Sequence, residues 1–333
     1  MKKILYTALI SIFAFGLFAQ QDAYHIQFTI NDYEAEFLTI ANNLLDQQYV
    51  VDTVYRSEDG IFHFKDTSEL KRGIYLAVLA PDNEYFQFLV GDEPAFFALE
   101  TTAEQLAYID VAGSKENQLF YDYLGFLDQQ KKKDAPLKEA LEAEGADVGD
   151  IKEQRKSIDQ EVKAYQNSLI QNEPNSFVTA IIKSNVPVTP PASIDELPEE
   201  ERRLRGWRYL QGHFFDNINL KDERLLRTPF LFERIDYFVH KLHVQHPDSI
   251  SIAIDKVLGQ MQPGTDMFKT YLVHFLNEAA RSQLVGMDAI YVHLIDNYYA
   301  KGFAPWTEEE QMKKFIENAD RLRPLLIGKT APD

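Results

Sequence analysis

Cysteine is absent from all 333 residues. Without a thiolate these residues can form no disulfide staple and carry out no thiol–disulfide chemistry. A lipid anchor on a cysteine behind the leader is excluded for the same reason. Basic residues are scarce, 34 against 52 acidic, giving a formal charge of −18. A field of that sign repels phosphate backbones and anionic leaflets, which argues against nucleic acid as a partner. There is no Gly-x-x-x-x-Gly-Lys-Ser/Thr phosphate loop, no Gly-x-Gly-x-x-Gly turn and no Gly-x-Ser-x-Gly nucleophile elbow. Carboxylates are plentiful, but nothing in their spacing sets a pair across a cleft. No residue therefore takes a catalytic or cofactor-binding role, and no cofactor is expected.

What is present begins with a leader. Lys2-Lys3 precedes an apolar run from Ile4 to Phe18, and Ala19 is a small residue before Gln20-Gln21-Asp22. This is the layout of a secretory signal, and the run is shorter than the ~20 residues of a spanning helix. Residues 1–19 are set aside as a signal peptide, with retention of the run as an anchor the alternative. Export to the periplasm or cell envelope follows, with no stable membrane insertion after cleavage.

From Tyr24 to Gly113 the hydrophobic period is two. Strands are expected at Tyr24–Ile30, Tyr49–Tyr55, Ile61–Phe64, Gly73–Leu79, Glu84–Val90, Ala95–Glu100 and Ala107–Val111. Asp59-Gly60 signals a hairpin, because such a turn needs positive φ. Short strands at this spacing indicate an antiparallel sandwich or open barrel over residues 20–113. The alternating aromatics read as core.

At Ser114, a candidate N-cap, the period changes to that of a helix. Helices are expected from Ser114 to a charged exit at Gln129–Lys133, then over 151–170, 177–183, 199–211, 229–242, 249–261, 265–285, 287–299 and 307–322. Thr307 reads as a capping residue and Trp207 and Tyr209 as inward-facing, while Val186–Pro198, with four prolines, reads as a loop. Residues 114–324 thus form an irregular all-α domain, and the fold class is α+β.

His240, His243 and His246 stand at three-residue steps. Zinc on a helix favours histidines four apart with a further ligand from elsewhere, so no metal site is assigned. His213, His274 and His293 read as satisfied core or boundary residues. The polar segment His213–Arg224 lacks the glycine of a calcium loop and reads as a capped connection.

The tail Gly328-Lys329-Thr330-Ala331-Pro332-Asp333 resembles the opening of TlpA-like and AhpC/TSA-type thioredoxin domains. The region 20–113 resembles the domain of unknown function that precedes such domains in Bacteroidetes envelope proteins. Asp59-Gly60-Ile61-Phe62-His63-Phe64, Gly73-Ile74-Tyr75 and Val111-Ala112-Gly113-Ser114-Lys115-Glu116-Asn117 carry that likeness. The helical region is similar to the second uncharacterised domain of the same proteins. Tyr209–Ile218, Leu225–Pro229, Asp288–Leu294 and Tyr298-Tyr299 carry that one.

The resemblance implies a covalently linked thioredoxin-like domain in the parent protein, with residues 325–333 as the linker into it. These residues would then be a non-catalytic accessory region of a thiol–disulfide oxidoreductase, positioning the redox domain or binding a protein client. A self-contained envelope protein with a ligand at the junction of its two domains is the alternative.

Overall fold

The computed structural model describes residues 22–142 and 147–329. The expected signal peptide, residues 1–19, and Thr330–Asp333 of the expected linker lie outside the described residues. Tyr24, Ile26, Phe28 and Ile30 alternate with more accessible neighbours, and their strand β1 (Tyr24–Asn31) buries that one face. Seven strands follow: β2 (Phe37–Leu44), β3 (Gln47–Tyr55), β4 (Phe62–Asp66), β5 (Gly73–Leu79), β6 (Glu84–Val90), β7 (Phe96–Thr102) and β8 (Asp110–Ala112).

They form two four-stranded sheets, ordered β4-β1-β7-β8 and β3-β2-β5-β6. Every pairing is antiparallel except β1 with β7. The domain is a sandwich. Phe28 lies 5.9 Å from Phe86 and 5.3 Å from Phe88, ring to ring, joining the two sheets. Each such buried ring contributes roughly 1.5–3 kcal/mol of transfer free energy.

Two local expectations change. Asp59-Gly60 does turn, with Gly60 at φ +83°, but β3 and β4 belong to different sheets. Only the bridge Arg56↔Phe62 joins them, so the turn is a corner between sheets and not a hairpin. β3 instead pairs back on β2 in a hairpin that closes on Leu45-Asp46, with Leu45 at φ +56°. Leu45 gives no sign of the turn, and Asn42-Asn43 interrupt the apolar pattern of β2, a strand absent from the sequence expectations.

The helices are α1 (Lys115–Glu142), α2 (Val148–Asn172), α3 (Phe177–Asn185), α4 (Ala192–Asp195), α5 (Glu199–His213), α6 (Leu231–Asp236), α7 (Pro247–Leu258), α8 (Asp266–Arg281), α9 (Asp288–Leu294) and α10 (Glu309–Leu322). A 3-10 turn spans Glu223–Arg227, and π turns extend α6 over Tyr237–Lys241 and α9 over Ile295–Tyr299.

α1 runs through its expected exit and past Pro136 because it is paired with α2. Phe126 stacks on Tyr165 at 4.2 Å, and Arg155 forks onto Asp134 at 2.7 and 3.2 Å. The proline-rich stretch contains the single turn α4. Thr307 does not cap α10; Glu308 occupies that place without a side-chain bond. Trp207 is 37% exposed, lying on the surface with its indole N–H donating to the Leu242 carbonyl at 2.9 Å. Among the described residues no helix is long and apolar enough to cross a membrane.

Candidate functional site

The two parts meet along the edge of β6. Asn117, one turn into α1, accepts from the Leu89 N–H at 2.7 Å and donates to the Leu89 carbonyl at 2.9 Å. Its side chain thereby supplies the pairing that a neighbouring strand would. Tyr121, one turn further on, donates to the Gln87 carbonyl, and burial raises its phenol. Ser114 accepts from the Asn117 N–H at 3.1 Å, as the cap reading anticipated.

Glu116 points the other way and takes the N–H of Phe177 on both oxygens at 3.0 Å, satisfying the start of α3. Burial holds its carboxyl above the usual carboxylate range, against those hydrogen bonds and the Arg224 charge.

Arg224, on the 3-10 turn, is the centre of the junction. Its side chain is 10% exposed. Nε and Nη2 donate to Asp222 at 2.8 and 2.7 Å, and Nη1 donates to Asp92 at 3.0 Å and to the Asn175 carbonyl at 3.1 Å. The guanidinium lies 5.3 Å from the Phe177 ring. One planar fork thus joins the β6–β7 loop, the start of α3 and its own turn. On the β5 side the fit is as close: a Cβ on Gly73, at φ +151°, would stand 2.4 Å from the Arg227 Cβ.

Beside Arg224 opens a polar cleft of about 400 Å³ lined by Asp92, Asn175, Ser176, Lys183, Asn219 and Asp222 among others. It adjoins a groove that also includes Lys183, Asn217 and Asn219. Lys183 is half-buried and, among the described residues, has no carboxylate within ion-pair distance. Amides, one ammonium and carboxylates facing one space suit a polar ligand.

The histidines separate. His240 Nε2 meets Glu278 at 3.0 Å, whereas His243 Nδ1 faces the Phe238 carbonyl and His246 caps α7. The acidic partner that the sequence did not reveal is 38 residues from His240, on α8. Glu278's hydrogen bond raises the His240 imidazole, and burial opposes it. His274, 3.8 Å from Glu278, is lowered by burial. Among the described residues no group of three potential ligands could hold a metal ion.

His293 donates to Asp255 at 2.8 Å and accepts from Asn297 at 3.2 Å, while Tyr298 also donates to Asp255 at 2.7 Å. This closed set ties α7 to α9. His213 is a half-buried boundary residue, stacked on Tyr209 and 2.8 Å from Asp216.

Residues 150–321 match a family described as a domain of unknown function (DUF5106). The chain belongs to the DUF5106 family. No curated protein and no solved structure matches it. The DUF5106 region runs from the first turn of α2 to the last turn of α10, leaving α1 and the sandwich outside. Arg224, Asp222, Asn175 and Phe177 are therefore DUF5106 residues, while Asp92, Glu116 and Asn117 are not. Sequence reasoning missed this junction because Asp92 and Arg224 are 132 residues apart. The Ser114 cap and the Ser114–Asn117 stretch pointed toward it, as did the alternative of a ligand at the junction of the two domains.

Proposed function

We propose that this chain is the accessory region of an exported thioredoxin-like thiol–disulfide oxidoreductase and acts by protein contact. The observation that carries the reading is the junction. A module that positions another domain or a client has to be rigid, and here sandwich and helices share one apolar core crossed by the Arg224 fork and the Asn117 clamp. The lack of cysteine puts any redox centre of such a protein outside residues 1–333. The tail supports the same reading, with Gly328 at φ +87° and Leu325 and Ile327 exposed just before the Ala-Pro-Asp sequence. Reading the coding sequence beyond codon 333 tests it: a thioredoxin-like domain with Cys-x-x-Cys is expected, and a stop codon at that point refutes it.

The cleft beside Arg224 favours a second reading, a polar ligand held at the junction of the two domains. A bound ligand raises apparent thermal stability by mass action. A thermal-shift screen of sugars, peptides and metal salts should find one whose effect is lost in Lys183→Met. No shift across the set discards the reading.

A further inference from the structure

The two free edges of the sheet β3-β2-β5-β6 are treated differently. The β6 edge is sealed by Asn117 and Tyr121. The β3 edge is open from Gln47 to Thr53, and all seven of those residues are exposed, so both faces of the strand lie in solvent. Tyr49 is 47% exposed, Val50 68% and Tyr55 67%, and Phe37 of β2 stands 6.3 Å from the Tyr55 ring, extending the apolar surface.

Edge strands are ordinarily blunted by lysine, proline, bulges or a covering element, and from Gln47 to Tyr55 β3 has no lysine, proline or cover. It carries one bulge, since the register with β2 passes from Ile40↔Asp52 to Ala41↔Val50 and leaves Val51 without a partner. Charge then selects what can be added. Between Asp22 and Tyr55 the chain has six acidic residues (Asp22, Asp32, Glu34, Glu36, Asp46 and Asp52) and no lysine or arginine. The first base, Arg56, is occupied by the carbonyls of Tyr33, Ala35 and Gly60. Asp52 also takes the N–H of its neighbour Thr53 at 2.7 Å, which fixes its carboxylate on the edge.

We infer that β3 is a docking edge for an extended, basic polypeptide segment that adds to the sheet as a fifth strand. Backbone pairing along Gln47–Asp52 would supply the affinity, the Thr53 N–H being already held by Asp52. Tyr49, Val50 and Tyr55 would take alternate apolar side chains, and Asp46 and Asp52 would take lysine or arginine between them. A second copy of the chain fits poorly, because it brings the same acids and no lysine or arginine to the shared edge. The inference rests on the reading of the chain as a protein-contact module but not on a redox domain. A stop codon after Asp333 would leave it standing.

The test uses the whole protein and a dye-labelled extended peptide alternating lysine with valine and tyrosine, followed by fluorescence anisotropy. Saturable binding is expected, with about tenfold preference over the glutamate counterpart, weakening with added salt. Val51→Pro, at the bulge, should weaken it about tenfold with an unchanged circular dichroism spectrum. Should that variant misfold, the exposed pair Asp46→Lys and Asp52→Lys serves instead and should reverse the preference toward the glutamate peptide. Equal binding of the two peptides, or binding unaffected by all these substitutions, overturns the inference. So does a concentration-dependent dimer abolished by Val51→Pro, which would assign the edge to a second copy.

Discussion

Arg224 illustrates how one side chain can hold two domains. It satisfies acceptors from three segments while almost wholly buried, and Asp222 beside it is 12% exposed. Arg224→Ala leaves that carboxylate buried without its counter-charge, which costs roughly 3–5 kcal/mol. Arg224→Lys should recover little, because a single ammonium cannot fork to Asp222 and reach Asp92 together. Denaturant unfolding at neutral pH checks both.

The His240–Glu278 pair makes a pH prediction. His240 titrates above its ordinary 6.5, so its contribution is complete below 6.5 and is lost as pH rises through the raised value. Glu278 titrates below its ordinary 4.5: burial pushes it up, but the His240 hydrogen bond and the imidazole charges prevail. Its contribution is complete above 4.5 and is lost as pH falls through the depressed value. The melting-temperature gap between wild type and His240→Gln should therefore be widest between those limits and narrow in alkali. His274 also faces Glu278, and loss of the His240 charge removes one of the influences that lower it. None of this was legible at residue scale: His240 and Glu278 meet only because α6 and α8 pack, and a three-step histidine pattern carried no trace of it.

Among the elements, the strands were legible where alternation was uninterrupted, as in β1, or where an apolar run lay between turn residues, as in β5 and β6. β2 was not, because its turn uses Leu45 at positive φ and its outer end carries two asparagines. Helix ends set by tertiary contact were lost in the same way. Nothing in Gln129–Lys133 indicates that α2 will be there to support α1. The 3-10 turn at Glu223–Arg227, which overlaps the capped connection expected over His213–Arg224, is the element that seats the helical part on β5. Gly73→Ala tests that seat. The added Cβ meets the Arg227 Cβ at 2.4 Å and its carbonyl oxygen at 3.0 Å, at a φ that side chains rarely adopt. Overpacking and backbone strain together should cost roughly 2–4 kcal/mol, read from the shift in denaturation midpoint.

For the whole molecule, the α+β order and the boundary near Ser114 were legible because the hydrophobic period changes there. What was not legible is that the boundary is no hinge. Buried residues run without a break from the sandwich through Phe120, Tyr121 and Phe177 into the helices. Unfolding followed by near-ultraviolet and far-ultraviolet circular dichroism should therefore give one coincident transition for both parts. Two resolved transitions would show that the clamps at Asn117 and Arg224 join bodies that melt separately.

The parallel pairing of β1 with β7 has a consequence in time. His25 sits opposite Phe96, so the first strand made is completed by one of the last strands of its domain. Contacts of such separation are slow to form, because a long loop must close before they stabilise anything. During synthesis β1 waits with one side bare until some seventy further residues have emerged. The sandwich thus matures late, and a ribosome stalled before Phe96 would release a chain whose first strand has no neighbour on that side.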